Sequence, residues 1–279
     1  MMRTVPLIAV LGIPLICLNA VGERKGEVPM ERGDYSSKPF KRMVILGEST
    51  VEGGGWVADK SERYADILVE LINRCQDEPV EYLNKGIGAS VISPRSPGYE
   101  ASRKPSAMEH YKEDVIDLKP DLFILAFGLN DMRAGMNPQT FKDEMMRIVR
   151  DVKSECQPVI VLVNVYHMTG FDRYPPFDKG SVSDTHVYNS IIRELAEEND
   201  CLLADVWAAE GQADWLIHPD GVHANAVGNR VIANRIFEVL AQNCSGLSVK
   251  IQKRDADTEW TRATARAQDK KIEPIDENK

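Results

Sequence analysis

Short apolar segments alternate with helical segments from residue 40 onward, and this alternation constrains the fold more than any other feature of the sequence. Strands are predicted at 42–47, 80–90, 120–131, 158–166 and 201–207, and helices at 62–75, 138–156, 183–200 and 225–244. The third and fourth strands are almost entirely apolar, which is typical of strands buried on both faces of a parallel sheet. The pattern predicts an α/β fold, a three-layer α/β/α sandwich around a central, mainly parallel five-stranded sheet.

The two ends of the chain differ in composition from its middle. Residues 1–22 combine an early arginine, an apolar run and a small-x-small sequence, which predicts a cleaved secretory signal peptide, with an uncleaved anchor as the alternative. Residues 23–39 are expected to form a linker and residues 40–246 the folded domain. Residues 247–279 are polar and charged, which favours a disordered tail, with a short amphipathic helix around Trp260 as the alternative. We therefore expect a secreted or periplasmic protein that does not insert into a membrane after signal cleavage.

The charge of the chain limits its partners. Its 34 Lys and Arg residues against 43 Asp and Glu residues give a formal net charge of −9, and no basic stripe stands out. Because binding to phosphate backbones requires clustered basic side chains, nucleic acid is not an expected partner.

Reactive side chains follow the predicted strands at their carboxyl ends, where open parallel sheets bind their ligands. Ser49 follows the first strand, a loop of small residues at 86–90 follows the second, and Asn130 follows the third. Asp220 and His223 stand three positions apart just before the last predicted helix. These segments are therefore expected to meet at one edge of the sheet.

These residue types together suit acyl transfer. A serine hydroxyl becomes nucleophilic when an imidazole takes its proton, and a carboxylate on the other ring nitrogen orients that imidazole. The negative oxygen of the intermediate requires fixed donors, which backbone N–H groups and an Asn side chain can supply. The sequence thus predicts Ser49 as nucleophile, His223 as base and Asp220 as its orienting acid.

Four short blocks of the sequence resemble those of the SGNH/GDSL hydrolase family of esterases and lipases. They are "GEST" at 47–50, "NKGIGAS" at 84–90, "GLND" at 128–131 and "DGVH" at 220–223, and the resemblance covers about residues 41–244. It implies a flavodoxin-like sheet and a serine hydrolase that uses neither a cofactor nor a metal. It also implies an oxyanion hole formed by the amides of Ser49 and of Gly88 or Ala89, and by the side chain of Asn130.

The chain departs from the family pattern at two positions. Glu48 stands where the family usually has Asp, and we expect altered local hydrogen bonding rather than lost activity. If Asn84 is aligned with the family's usual Asn-x-Gly-x-x-Gly, the oxyanion glycine falls on Ala89. A backbone N–H serves equally well from alanine if the backbone angles suit it, and Gly88 is the alternative donor.

Four cysteines remain once a signal peptide carrying Cys17 is removed, and export makes disulfides an expectation. Cys156 and Cys201 each precede a predicted strand, and Cys75 and Cys244 each end a predicted helix. In a 2-1-3-4-5 strand order the members of each pair become neighbours. The hypothesis is therefore a Cys156–Cys201 and a Cys75–Cys244 disulfide, both far from the catalytic edge. The wide spacing of these cysteines gives no metal-site signature.

The substrate is predicted from the long segment at 167–184, which carries aromatic and charged side chains suited to a sugar ring. Tyr174, Arg173 and His218 are candidate substrate contacts. The first hypothesis is an O-acetyl esterase that acts on carbohydrate, with a small ester or an acetylated polysaccharide as its partner. The alternatives are a lysophospholipase or short-chain carboxylesterase and, from another class, a non-catalytic carbohydrate-binding module on a degenerate hydrolase scaffold.

Overall fold

The central element of the fold is a parallel sheet of five strands. The structure, a computed structural model, describes residues 33–269, with side chains to residue 266. The strands are β1 (Arg42–Gly47), β2 (Glu81–Gly86), β3 (Leu122–Ala126), β4 (Val159–Val163) and β5 (Leu202–Ala204). They pair in the order β2-β1-β3-β4-β5, with every pairing parallel. The α/β sandwich and the strand order predicted from the sequence are therefore confirmed.

Helices flank this sheet. They are α1 (Ser49–Glu52), α2 (Tyr64–Cys75), α3 (Tyr99–Ser102), α4 (Ala107–Tyr111), α5 (Leu129–Arg133), α6 (Pro138–Cys156), α7 (Val182–Glu198), α8 (Val206–Glu210), α9 (Ala226–Asn243), α10 (Val249–Ala256) and α11 (Glu259–Asp269). Short 3₁₀ turns cover Lys60–Glu62, Asp214–Leu216 and Ser245–Ser248, and a π turn covers Lys112–Ile116. In this arrangement α2 packs against α9, and α6 packs against α7.

The three middle strands form the core because both of their faces are covered. Ile45 of β1 pairs with Ile124 of β3, which in turn pairs with Val161 of β4, and all three side chains are fully buried. Such continuous apolar strands are stable only between two layers of helices. The carboxyl ends of these strands consequently have a rigid base, and the loops that follow them are positioned by it.

Four of the five strands are shorter than predicted, and in two of them a short helix takes remaining residues. The segment 120–131 ends as a strand at Ala126, and α5 begins at Leu129 after Gly128 turns the chain with φ +124°. The segment 201–207 ends as a strand at Ala204, and Asp205 then caps α8. In both segments the apolar residues continue beyond the sheet, so hydrophobicity alone could not mark the end of the strand.

Neither predicted disulfide is present, and all four cysteines of the described residues are free thiols. The Sγ of Cys156 lies 3.5 Å from the carbonyl oxygen of Ile116, whereas the Sγ of Cys201 lies 3.5 Å from that of Asn199. Cys75 and Cys244 likewise have different surroundings. A disulfide requires side chains that point at each other, which neighbouring positions in the topology do not guarantee.

The two flanks of the predicted domain also need correction. The described part of the predicted linker, residues 33–39, packs on the domain: the N–H of Tyr35 donates to the carbonyl of Asn243 at 2.8 Å. The tail predicted to be disordered from residue 247 is helical as far as it is described, as α10 and α11. Leu247 is buried in the core, and Lys250 Nζ donates to the carbonyl of Gln76 at 3.0 Å. Because the tail is mostly polar, its composition alone did not indicate the contacts of Leu247 and Lys250 with the domain.

The predicted signal peptide, residues 1–22, and the first part of the linker lie outside the described residues. Between residues 33 and 269, no helix has the length and apolar character needed to cross a bilayer.

Shortening Ile124 to alanine tests the role of the buried middle strands. The side chain points away from the plane of the sheet, so the substitution leaves a cavity between the sheet and its covering helices, and the free energy of unfolding should fall by about 2–5 kcal/mol. The matched control is Val187→Ala, because Val187 is 43% exposed on α7, and it should change stability by less than about 0.5 kcal/mol. Urea denaturation measures both, and equal losses would contradict the assignment of the core.

Candidate active site

Ser49, His223 and Asp220 form a continuous chain of hydrogen bonds at the carboxyl end of the sheet. Ser49 is the first residue of α1 and comes two positions after the end of β1. Its Oγ lies 2.9 Å from His223 Nε2, and His223 Nδ1 lies 2.8 Å from Asp220 Oδ2. The fold thus brings together side chains that are as much as 174 positions apart in sequence.

A tight turn fixes Asp220 and His223 relative to each other. The Oδ1 of Asp220 accepts the backbone N–H groups of Val222 at 2.8 Å and of His223 at 3.0 Å. Gly221 adopts φ +81°, and a Cβ at this position would lie 2.9 Å from the Cα of Gly170. Only glycine satisfies both the backbone angle and the close contact, which explains the "DGVH" sequence locally.

The pKa values of this pair suit a neutral imidazole beside a charged carboxylate. Burial lowers the pKa of His223 below its usual value, and the carboxylate of Asp220 opposes this effect without cancelling it. Burial acts to raise the pKa of Asp220, but hydrogen bonds from the N–H groups of His223 and Val222 outweigh it, and the pKa stays below its usual value. At neutral pH, His223 is therefore available as a base.

The indole of Trp56 covers one face of the His223 imidazole. The two ring centroids are 3.6 Å apart and the rings are inclined by only 7°, so they are stacked. This contact restricts rotation of the imidazole out of the plane that points Nε2 at Ser49. Trp56 was not among the residues singled out from the sequence, where only the preceding Gly53-Gly54-Gly55 run indicated an unusual loop beside Ser49.

Two backbone amides beside the Ser49 hydroxyl are free to bind an oxyanion. Within residues 33–269, neither the N–H of Ser49 nor that of Ala89 has a hydrogen-bond acceptor. The N–H of Gly88, in contrast, donates to Glu52 Oε2 at 2.7 Å. Ala89 has φ +60°, the left-handed conformation that turns its amide relative to the preceding residue. Of the two donors left open by the sequence, the geometry favours Ala89.

A close approach between β2 and α1 positions this amide loop. A Cβ on Gly86 would lie 2.2 Å from the backbone nitrogen of Glu52, so the end of β2 can reach α1 only with glycine. The side chain of Asn84 also joins the two elements: its Nδ2 donates to the carbonyl of Val51 at 2.8 Å, and its Oδ1 accepts the N–H of Gly86 at 2.9 Å. The "NKG" sequence thus holds the loop against the nucleophile's helix.

Asn130 lies on the other side of the site and is 5% exposed. Its Nδ2 donates one hydrogen bond to the carbonyl of Ser90 at 2.9 Å, which orients the amide and leaves its second N–H for a ligand. The neighbouring Asp131 is fully buried and accepts the N–H of Ile92 at 3.0 Å, so it serves the structure of this loop.

Glu48 organises the segment that carries Asn130. Its Oε1 accepts the N–H groups of Gly128 at 2.8 Å and Leu129 at 2.9 Å, and its Oε2 accepts that of Asn130 at 2.9 Å. Burial raises the pKa of Glu48 to about 8, with the charge of Asp131 adding to the effect and the three N–H donors opposing it. The glutamate therefore provides the acceptors for the first turn of α5.

The hydroxyl of Ser49 opens into a cavity of about 570 Å³. Its walls combine glycines, aromatic rings and polar groups, contributed by Ser49, Glu52, Gly53, Gly54, Trp56, Gly88, Ala89, Asn130, Arg133, Tyr174, Pro175, Phe177, Val222 and His223. Between residues 33 and 269, no cluster of three or more His, Cys, Asp or Glu side chains could hold a metal ion.

The three predicted substrate contacts have different positions. Tyr174 lines the cavity and is 54% exposed. Arg173 does not line it, because its Nη1 donates to the carbonyl of Pro219 at 2.8 Å and so supports the Asp220 turn. His218 is also outside the lining, with its Nδ1 accepting the N–H of Asp220 at 3.2 Å. Both side chains contact the turn and do not line the cavity, so of the three candidates only Tyr174 is placed beside Ser49.

Comparison with known proteins identifies the family of the chain. The model of the GDSL-like Lipase/Acylhydrolase family matches residues 45–231. The chain belongs to this family. It is accordingly an α/β hydrolase that acts on ester bonds with a serine nucleophile.

The individual relatives are distant in sequence, but the match extends over most of the length of each relative. An "Uncharacterized lipoprotein YqeF" of Bacillus subtilis (strain 168) is 23% identical over 223 residues, 69% of this chain and 86% of the relative. An "Acetylxylan esterase" of Geobacillus stearothermophilus is 23% identical over 215 residues, 69% of this chain and 90% of the relative. Among solved structures, LAE5, an alpha/beta hydrolase enzyme from the metagenome of Lake Arreo, Spain, has a TM-score of 0.58 at 20% identity, covering 77% of this chain and 99% of that one.

Replacing Glu48 with glutamine tests its role as the common acceptor of three amides. An NH₂ group then takes the place of one oxygen, so at least one buried N–H loses its acceptor, and the free energy of unfolding should fall by about 1–3 kcal/mol. Glu197→Gln is the matched control, because Glu197 is exposed on α7. Urea denaturation compares the two, and equal stability of Glu48→Gln and the wild type would contradict the proposed support.

Proposed function

We propose that this protein is a secreted O-acetyl esterase that removes acetyl groups from carbohydrate through a Ser49–His223–Asp220 triad. The observation that carries the proposal is the unbroken hydrogen-bond chain from the Ser49 hydroxyl through the imidazole to the Asp220 carboxylate. A serine with no catalytic role has no need of an oriented imidazole whose second nitrogen is already held by an acid.

The arrangement supports a two-step reaction. His223 Nε2 takes the proton of Ser49 as Oγ attacks the acyl carbon, and the negative oxygen binds the amides of Ser49 and Ala89 and the Nδ2 of Asn130. The imidazolium then returns its proton to the alcohol oxygen, which leaves, and the acyl group remains on Oγ. Water, deprotonated by the same imidazole, attacks the acyl carbon, and the acid leaves as Ser49 regains its proton.

The cavity walls favour a polar substrate of ring-like shape. The aromatic side chains of Trp56, Tyr174 and Phe177 present flat apolar surfaces, and the polar groups of Asn130 and Arg133 interrupt them. Sugar rings have the same mixture of apolar faces and polar edges, whereas a long acyl chain requires a continuous apolar groove. The acetylxylan esterase among the relatives supports the same substrate class.

The alternatives rank lower. A lysophospholipase or short-chain carboxylesterase uses the same chemistry, and the polar interruption of the walls is the feature that disfavours the lipid substrate. A non-catalytic carbohydrate-binding module conflicts with membership in a family of ester hydrolases. Export is proposed from the signal-like residues 1–22, and the relative named as a lipoprotein supports it.

Removal of the Ser49 hydroxyl tests the reaction and its substrate together. Ser49→Ala should lower kcat for release of acetate from acetylated xylan by at least about 10³-fold, because the covalent step is lost. The control is Ser154→Ala, an exposed serine on α6, which should keep wild-type rates. Acetate release by the wild type should exceed fatty-acid release from lysophosphatidylcholine. Equal rates for Ser49→Ala and the wild type would exclude the triad, and faster lipid hydrolysis would exclude the carbohydrate substrate.

The pH profile of kcat/KM tests His223 as the base. Only the neutral imidazole accepts the proton, and its folded-state pKa lies below the usual 6.5. Activity should therefore be complete at pH 7.5 and decline as the pH falls through a midpoint below 6.5. Asp220→Asn should lower the rate by about 10⁴-fold and move the midpoint further down, because the carboxylate raises the imidazole pKa. The control His186→Gln alters an exposed ring on α7 and should leave the profile unchanged. A midpoint above 6.5 would contradict the assignment.

A further inference from the structure

Arg133 is a buried cation on the wall of the Ser49 cavity. It ends α5, three positions after Asn130, and is only 3% exposed. Its Nη2 donates to the carbonyl of Arg173 at 2.6 Å, and its Nε is buried with no hydrogen-bond partner. Most of the donor capacity of the guanidinium is therefore unused within the protein.

No carboxylate among residues 33–269 forms an ion pair with Arg133. The carboxylates whose charges reach Arg133 are those of Glu48 and Asp178. Both oxygens of Glu48 are already occupied by backbone N–H groups, and neither acid forms an ion pair or hydrogen bond with the guanidinium. Burial lowers the pKa of Arg133, and the charge of Glu48 opposes this. A guanidinium nevertheless stays protonated at neutral pH. The cavity wall thus has one positive charge without a matching negative charge in contact.

Such an arrangement is costly unless a ligand provides the partner. An unpaired buried charge loses its hydration, and a planar guanidinium recovers that loss best from a carboxylate that accepts two parallel hydrogen bonds. The chain as a whole is negative, at −9, and repels anions at long range. A local cation inside the cavity would therefore act on specificity at the site rather than on long-range attraction.

The location of the charge relates it to the reacting bond. Arg133 and His223 line the same cavity as Ser49, and the charge of Arg133 contributes to lowering the pKa of the imidazole. Tyr174, whose backbone nitrogen follows the carbonyl held by Arg133, lies on the same cavity wall. A carboxylate on Arg133 would consequently belong to the molecule whose ester lies at Ser49.

We propose that Arg133 binds a carboxylate carried by the ester substrate, so that the enzyme selects acidic esters over neutral ones of the same shape. The carboxylate can come from the sugar, as in an acetylated uronic acid, or from the acyl group, as in a hemiester of a dicarboxylic acid. This inference rests on the ester hydrolysis of the proposed function, because it defines the substrate of the same site. A carboxylate on the sugar keeps the acetyl group as the acyl part, whereas a carboxylate on the acyl group would replace the acetyl ester by a hemiester.

Two matched substrate pairs test the proposal and distinguish the sources of the carboxylate. The sugar pair is methyl 3-O-acetyl-glucuronoside and methyl 3-O-acetyl-glucoside, and the acyl pair is monoethyl adipate and ethyl hexanoate. For each, kcat/KM is measured by acid release at pH 7.5. The wild type should prefer the acidic member of one pair by about tenfold or more, as expected for one charge-assisted hydrogen-bond pair.

Variants of Arg133 then assign the preference. Arg133→Met should abolish it, mainly through a higher KM for the acidic member, whereas Arg133→Lys keeps the charge and should retain part of it. The matched control is Arg150→Met, which removes an exposed arginine from α6 and should keep the wild-type preference. If Arg133→Met fails to fold, the Lys variant and inhibition of the wild type by free glucuronate or adipate, against glucose or hexanol, decide instead.

The outcomes separate this proposal from the proposed function. Hydrolysis of both members of each pair at equal rates by the wild type would overturn the carboxylate subsite and leave the esterase intact. An equal loss on acidic and neutral esters in Arg133→Met would also overturn it, because that result indicates support of the oxyanion or of the fold. Failure of the wild type to hydrolyse any of the four esters would instead reject the esterase assignment itself.

Discussion

The carboxylate of Glu48 is the interaction on which the site depends. It follows β1 and immediately precedes Ser49, yet its oxygens hold the amides that begin α5, so one buried side chain joins the nucleophile's strand to the segment that carries Asn130. Backbone amides buried without an acceptor are rare in proteins, because each costs about 1–3 kcal/mol. The position of the Asn130 side chain relative to the Ser49 hydroxyl is therefore set by hydrogen bonds and not by loop flexibility.

Around this connection, the site is assembled from four loops that each have their own local constraint. The turn with Asp220 requires a glycine at Gly221, and the loop with Ala89 requires the close approach at Gly86. The imidazole is confined by stacking on Trp56 in addition to its two hydrogen bonds. Most of these constraints join segments that are far apart in sequence, such as Trp56 and His223 or Glu48 and Asn130, so the fold is needed to assemble the site.

The sequence was sufficient to predict the strand order and the meeting of Ser49, Asp220 and His223 at one edge of the sheet, because buried parallel strands and short motifs are local patterns. It was insufficient wherever the result depends on side-chain direction. The predicted Cys156–Cys201 disulfide required two thiols on adjacent elements to point at each other, and they do not. Arg173 was a reasonable substrate contact by position, but its side chain turns back to the Pro219 carbonyl. The unpaired guanidinium of Arg133 and the stacking of Trp56 could be found only from the folded loops.

The first described residues contact the end of α9 at the edge of the sheet remote from Ser49. The N–H of Tyr35 donates to the carbonyl of Asn243, and the N–H of Gly246 donates to the carbonyl of Ser36. Tyr35 and Ser36 lie beside Asp121 and Asp200, which precede β3 and β5. Any tether attached through the amino end would thus join the domain near the amino ends of the strands. The cavity that holds Ser49 would then lie on the side of the domain opposite to the point of attachment.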